Sequence, residues 1–183
     1  MKTPKLTAAL AIALLFALQA SAQKGKQFPQ LPGETLKGQN MEIPAQTRGK
    51  RTLIGLAYSK KSDDLLKQWY SPIYNTFIEP PSTSLFPQDE YDINMYFVAL
   101  LKGIYSVADG KIMKEMRDGI DPRYHERTLV YAGNIKDYRK SLNLDNKDLP
   151  YFFVLDNNGK IVYHTSGAYS RKKLTEIMRA VGD

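Results

Sequence analysis

An α/β fold, a mixed central sheet with helices on both of its faces, is predicted by three features of the sequence. Residues 52–58 (Thr-Leu-Ile-Gly-Leu-Ala-Tyr) are short, mostly apolar and bounded by turn signals, the pattern of a strand buried on both faces. Residues 151–156 and 160–164 are strand-like runs joined by Asp156-Asn157-Asn158-Gly159, and Asn-Gly tolerates the positive φ that a tight hairpin demands. Leu174, Ile177, Met178 and Val181 recur at helical spacing and form one apolar face.

The remaining elements follow in chain order. Residues 23–51 are rich in Gly, Pro, Lys and Gln and read as an N-terminal extension, with Phe28, Leu31, Leu36 and Ile43 as spaced anchors and residues 33–38 as a short hairpin. After the first strand, Ser59 or Ser62 is placed to cap a helix, and Asp63 and Asp64 suit its positive end. Leu65, Leu66, Trp69, Ile73 and Phe77 continue at helical spacing, and Pro72 is expected to kink or end the first part. Residues 79–84 are a breaker. Ile93, Met95 and Phe97 alternate, which predicts a strand over about 92–98. A helix is expected around Ile112, Met113 and Met116, a strand over 128–131, and a helix capped by Asn134. Gly167 closes the hairpin's second strand and Ser170 caps the last helix.

The chain opens with Lys2 and Lys5, an apolar run over residues 8–18 and small residues at 20–22, the pattern of a cleaved export signal with Gln23 as the new N-terminus. The apolar run falls short of the roughly 20 residues a membrane span takes. This reading divides the chain into a signal peptide (1–22), an extension (23–51) and a single domain (52–183), and expects a periplasmic or secreted protein with no stable membrane span. Without residues 1–22 the 183-residue chain leaves 161 residues, and the net charge falls from +7 to +5 with the two lysines. The charges are scattered and no nucleic-acid motif is present, so a solvated surface is expected rather than a nucleic-acid partner. The chain contains no cysteine, so no disulfide staples the core.

Three features resemble the thioredoxin-like superfamily, of the exported redoxin and peroxiredoxin-related type. They are the buried strand 52–58 running into a helix, Leu149-Pro150 before a strand where that family places a cis-proline, and the hairpin 155–162 followed by Gly167 and a terminal helix. The resemblance spans about residues 28–181 and implies the mixed sheet above. The family's Cys-X-X-Cys falls on Ser59-Lys60-Lys61-Ser62, with serine at both cysteine positions. A hydroxyl has no accessible redox couple, so thiol-disulfide exchange and thiol peroxidase activity are excluded. A second resemblance, carried by the long middle segment and the aromatic strand before Asp156, is to the thioredoxin-like assembly factor of mitochondrial ATP synthase. It implies a noncatalytic assembly role.

Two segments are therefore the candidate site. Ser59, Lys60, Lys61 and Ser62 stand where the family does its chemistry. They read either as a helix cap with surface charge or as a Ser-Lys nucleophile, which needs a desolvated lysine. Leu149 and Pro150 read either as a fold-defining turn or as a surface that pairs with an extended peptide. The expected function is noncatalytic binding of a protein or peptide partner in an assembly or chaperone-like role, at the groove between these segments. The alternatives are an atypical hydrolase or transferase using Ser59 or Ser62 with Lys60 or Lys61, and a structural subunit of a cell-envelope complex. No cofactor and no metal are expected. His125 and His164 are the only histidines, and Asp118, Asp121 and Glu126 near His125, like Asp89, Glu90 and Asp92, match no metal or catalytic spacing.

Overall fold

A computed structural model of the protein describes residues 23–79, 91–103 and 110–182. The export-signal segment, most of the breaker after Glu79, and Asp89 and Glu90 lie outside the described residues. The strands are β1 (Leu31–Thr35), β2 (Asn40–Ile43), β3 (Arg51–Ala57), β4 (Ile93–Lys102), β5 (Thr128–Gly133), β6 (Tyr151–Leu155) and β7 (Ile161–Ser166). The helices are α1 (Lys60–Phe77), α2 (Lys111–Gly119), α3 (Lys136–Ser141) and α4 (Arg171–Gly182). The strands form one seven-stranded mixed sheet in the order β2-β1-β5-β4-β3-β6-β7.

β3 is central because it is apolar on both faces. It pairs in parallel with β4 and antiparallel with β6, and every residue from Thr52 to Ala57 is buried. Gly55 is required there: a Cβ would come within 2.8 Å of the Phe152 ring and 3.0 Å of Leu66. The Asp156–Gly159 turn forms as expected, with Gly159 at φ +81° and the Asp156 carboxylate accepting from the Asn158 and Lys160 amides. The Gly33 hairpin is larger than its sequence suggests. β1 and β2 pair antiparallel, and β1 also pairs with β5, so the extension completes one edge of the sheet.

The core lies in two layers. On one face Trp69, Phe97, Phe152 and Ile177 join side chains of α1, α2 and α4. On the other, Phe28, Leu31, Phe153 and Leu155 pack with Ile135, Leu142 and Leu144 around α3. Trp69 ties the first layer together: its ring centroid is 4.3 Å from that of Phe152, and its indole N–H donates to the Gly167 carbonyl at 3.1 Å.

Several expectations shift at element ends. Pro72 neither ends nor divides α1, which runs unbroken from Lys60 to Phe77. A helix-interior proline costs about 3 kcal/mol. Burial of Ile73, Tyr74 and Phe77 beyond it offsets that, at about 1.5–3 kcal/mol for a large apolar side chain. β4 extends past Val98 to Lys102 because Leu100, like Val98, is buried between neighbouring strands. α3 starts one residue later than the capping pattern at Asn134 implies, with Ile135 at the cap position, while the Asn134 side-chain Oδ1 still accepts from the Lys136 amide at 3.1 Å. His125, expected in a charged loop, lies in regular structure. It is buried in a 3-10 turn, with Nε2 2.8 Å from the Ile120 carbonyl.

Candidate functional site

β3 leads at Tyr58 into Ser59, whose extended backbone (φ −148°, ψ 161°) turns the chain into α1. Ser59 and Ser62 form a reciprocal capping box. The Ser59 hydroxyl accepts from the Ser62 amide at 3.1 Å and donates to the Lys147 carbonyl at 2.6 Å. The Ser62 hydroxyl accepts from the Tyr58 amide at 3.2 Å and the Ser59 amide at 3.0 Å, and donates to the Ser59 carbonyl at 3.0 Å. Ser62 is fully buried. Each hydroxyl proton therefore has a carbonyl acceptor, and neither is directed at a base.

The lysines between them face outward. Lys60 is exposed, and the Lys61 ammonium lies 3.0 Å from the Asp148 carboxylate with 69% of its side chain exposed. A lysine that activates a serine must be neutral, which takes desolvation. Neither lysine is withdrawn from water in this way.

The structure brings the second segment to the same place. Leu142 and Leu144 anchor the connection between α3 and β6 in the second core layer. The Tyr58 hydroxyl donates to the Leu144 carbonyl at 2.6 Å, and the Tyr151 hydroxyl accepts from the Asn146 amide at 2.7 Å. The Tyr58–Leu144 bond, the Ser59–Lys147 bond and the Lys61–Asp148 pair bridge the start of α1 to residues 144–148, and the Tyr151–Asn146 bond ties that connection to β6. The Arg139 guanidinium lies 5.6 Å from the Tyr58 ring centroid. Burial raises the pKa of both Tyr58 and Tyr151, so the two phenols stay protonated as donors.

Leu149 is half-buried and Pro150 buried. The Leu149–Pro150 bond is trans; the cis X-Pro bond among the described residues is Ile43–Pro44. This corrects the expectation of a cis bond before β6. The Pro150 carbonyl accepts from the Gly167 amide at 2.8 Å and extends the β6–β7 ladder by one bond. The trans isomer is the intrinsically favoured one, by about 0.5–1 kcal/mol.

Beside Ser59 a cavity of about 360 Å³ opens at the carboxyl ends of β3 and β4. Tyr58, Ser59 and Lys60, Leu101 of β4, and Ile112, Glu115 and Met116 of α2 line it. Neither Leu149 nor Pro150 lines it. Tyr58, Lys147, Asp148 and Tyr151 were not marked by the sequence. The signal available for Lys147 and Asp148 is their position just before Leu149-Pro150. Among the described residues no cluster of His, Cys, Asp or Glu could hold a metal ion.

Solved structures with the same fold include the pneumococcal exposed lipoprotein thioredoxin of Streptococcus pneumoniae, with 11% identity over 84% of this chain and 98% of that one, at a TM-score of 0.51. The N-terminal domain of PilB from Neisseria gonorrhoeae matches at 15% identity over 80% of this chain and 86% of that one, with a TM-score of 0.51. BsSco, a member of the Sco family of cytochrome c oxidase assembly proteins, matches at 11% identity over 86% and 95%, with a TM-score of 0.50. The fold is thioredoxin-like. No curated protein matches the chain by sequence.

The sequence profile of the ATP10 protein family matches residues 19–183. It overturns the expected periplasmic or secreted location, because this is a family of mitochondrial ATP synthase assembly factors. The physical reason for the misreading is that charge and hydropathy describe a segment's polarity and not the machinery that reads it. Among the described residues no helix is long and apolar enough to cross a membrane. With the profile running from residue 19 to the last residue, the chain belongs to the ATP10 family of assembly factors.

Proposed function

We propose that this chain is an assembly factor that binds a protein or peptide partner without a thiol redox step, on the face built by Ser59–Ser62, the 144–150 connection and the cavity beside Tyr58. The observation that carries this reading is the capping box. Where the thioredoxin-like fold does redox chemistry, two hydroxyls hold backbone groups, and both of their protons are engaged. The position is built for rigidity rather than reaction. Beside it, the cavity is lined by Leu101, Ile112 and Met116 together with Lys60, Lys102, Asp63 and Glu115, which suits a partner segment that sets an apolar side chain among charged neighbours. Membership of an assembly-factor family supports a protein partner.

A photo-crosslinking residue at exposed Lys60 in the full chain tests this. The expected result is a discrete adduct with an ATP synthase subunit or assembly intermediate, weakened by Met116→Glu. No adduct, or the same adducts from a crosslinker at Lys37 in the β1–β2 turn, would remove the proposed face. The hydrolase or transferase alternative has a separate readout: labelling of Ser59 or Ser62 by a serine-reactive probe would overturn the noncatalytic reading.

A further inference from the structure

At the other end of β3 the structure gathers positive charge around a second cavity. Its volume is about 380 Å³, and it is lined by Lys24, Arg51, Tyr163, Glu176 and Arg179, with Val162 in its wall. Arg51 opens β3 and Ser59 follows its far end. Eight residues of extended chain separate them by about 26 Å, so this cavity is separate from the face described above.

The three cations come from distant parts of the chain: the N-terminal segment, the start of β3 and the last turn of α4. Among the described residues none of them is in an ion pair. Arg51 donates from Nη1 to the Ala180 carbonyl at 2.9 Å, which satisfies one carbonyl at the end of α4. A helix C-terminus carries only about half a negative charge, so it accounts for one cation and not three. Glu176 is the single carboxylate in the lining, and its Oε2 accepts from the Tyr163 hydroxyl at 2.9 Å. Burial and the Glu176 carboxylate push the Tyr163 pKa up to about 12, so the phenol keeps its proton and remains a donor. The lining thus holds three positive charges against one negative.

We propose that this cavity binds a phosphate monoester, free or as a lipid headgroup. A phosphate monoester carries about −1.5 to −2 at neutral pH, which matches the excess positive charge of the lining. A guanidinium presents paired donors that fit phosphate oxygens, and an ammonium adds a point charge. The Tyr163 ring and Val162 supply an apolar wall for the organic part of the ester.

The test is titration of the full chain with inorganic phosphate and glycerol phosphate, followed by amide chemical shifts, and sedimentation with phosphatidylcholine vesicles with and without phosphatidic acid. Saturable shifts are expected at Val162, Tyr163 and Ala180. Arg179→Gln and Lys24→Gln, both at exposed positions, are each expected to weaken binding about tenfold, the equivalent of one charge-assisted hydrogen bond. Glu176→Gln keeps an acceptor for Tyr163 and removes the like charge, so it is expected to tighten binding. Sedimentation with phosphatidic acid vesicles alone, lost in the same variants, assigns the lipid headgroup. Saturation by glycerol phosphate without vesicle binding assigns a soluble ester. No saturable binding of any probe, or binding unchanged in all three variants, overturns the site.

Discussion

The hydroxyls of Ser59 and Ser62 lie 3.1 Å apart and cap one another's backbone at the start of α1. Ser59 also reaches across to the Lys147 carbonyl, 88 residues away in the chain. A pair that in thioredoxin-like proteins would exchange electrons here joins two segments of the fold by hydrogen bonds.

Removing either hydroxyl is expected to destabilise the fold. Ser59→Ala loses a helix cap, at about 1–2 kcal/mol. Ser62→Ala leaves the Tyr58 and Ser59 amides without their acceptor in a buried position, at about 1–3 kcal/mol. Because the two share one network, the double variant is expected to cost less than the sum. Urea unfolding of the three variants measures this, and strict additivity would contradict the reciprocal box.

The double variant Ser59→Cys, Ser62→Cys is expected to close a disulfide. The oxygens already stand 3.1 Å apart, and sulfur atoms there need to approach to only about 2.05 Å. Thiol titration under denaturing conditions after mild oxidation reads the result. Loss of both free thiols from a monomeric chain is expected, and two persistent thiols would show that the helix start no longer has the geometry of a dithiol pair.

Gly55→Ala is expected to cost about 1–3 kcal/mol through overpacking. The new methyl would meet the Phe152 ring at 2.8 Å and Leu66 at 3.0 Å, and both neighbours are fully buried, with little room to give. The midpoint of denaturant unfolding checks this. A neutral effect would mean that β6 and α1 can move apart around β3.

Stability is expected to fall as pH rises above about 10, the unperturbed pKa of tyrosine. Burial is the first cause that raises Tyr70, Tyr138 and Tyr163, the last two to about 12. Between pH 10 and about 12 the unfolded chain loses phenolic protons that the folded chain keeps, so the slope of unfolding free energy with pH is negative there. Below pH 10 these groups are protonated in both states and contribute no slope. Tyrosinate absorbance alongside chemical denaturation follows both quantities, and tyrosines that all titrate near pH 10 while the chain stays folded would contradict the burial.

Much of the fold was legible because it is local. The apolar run of β3, the Asn157-Asn158-Gly159 turn and the stripe of Leu174, Ile177 and Val181 each need only near neighbours to be recognised. The capping role of Ser59 was legible for the same reason, since it lies three residues from its partner. Pro72 does not end α1, because propensity is a local quantity, whereas the burial that keeps α1 continuous belongs to the packed sheet. The extension follows the same rule: its hairpin was visible, but its pairing with β5 depends on a strand nearly a hundred residues later. The compartment was misread because an apolar segment carries no record of its destination.

The sequence by itself determined the order of strands and helices and, through the absence of cysteine, removed thiol chemistry from this chain. Those properties reside in residue identity and short-range spacing. Only the tertiary structure decided that Tyr58, Ser59 and Lys61 would hold the 144–148 connection, that Leu149–Pro150 would be trans, and that Lys24, Arg51 and Arg179 would converge on one cavity. Each of those outcomes depends on where the assembled sheet places residues far apart in sequence, and no local pattern encodes that distance.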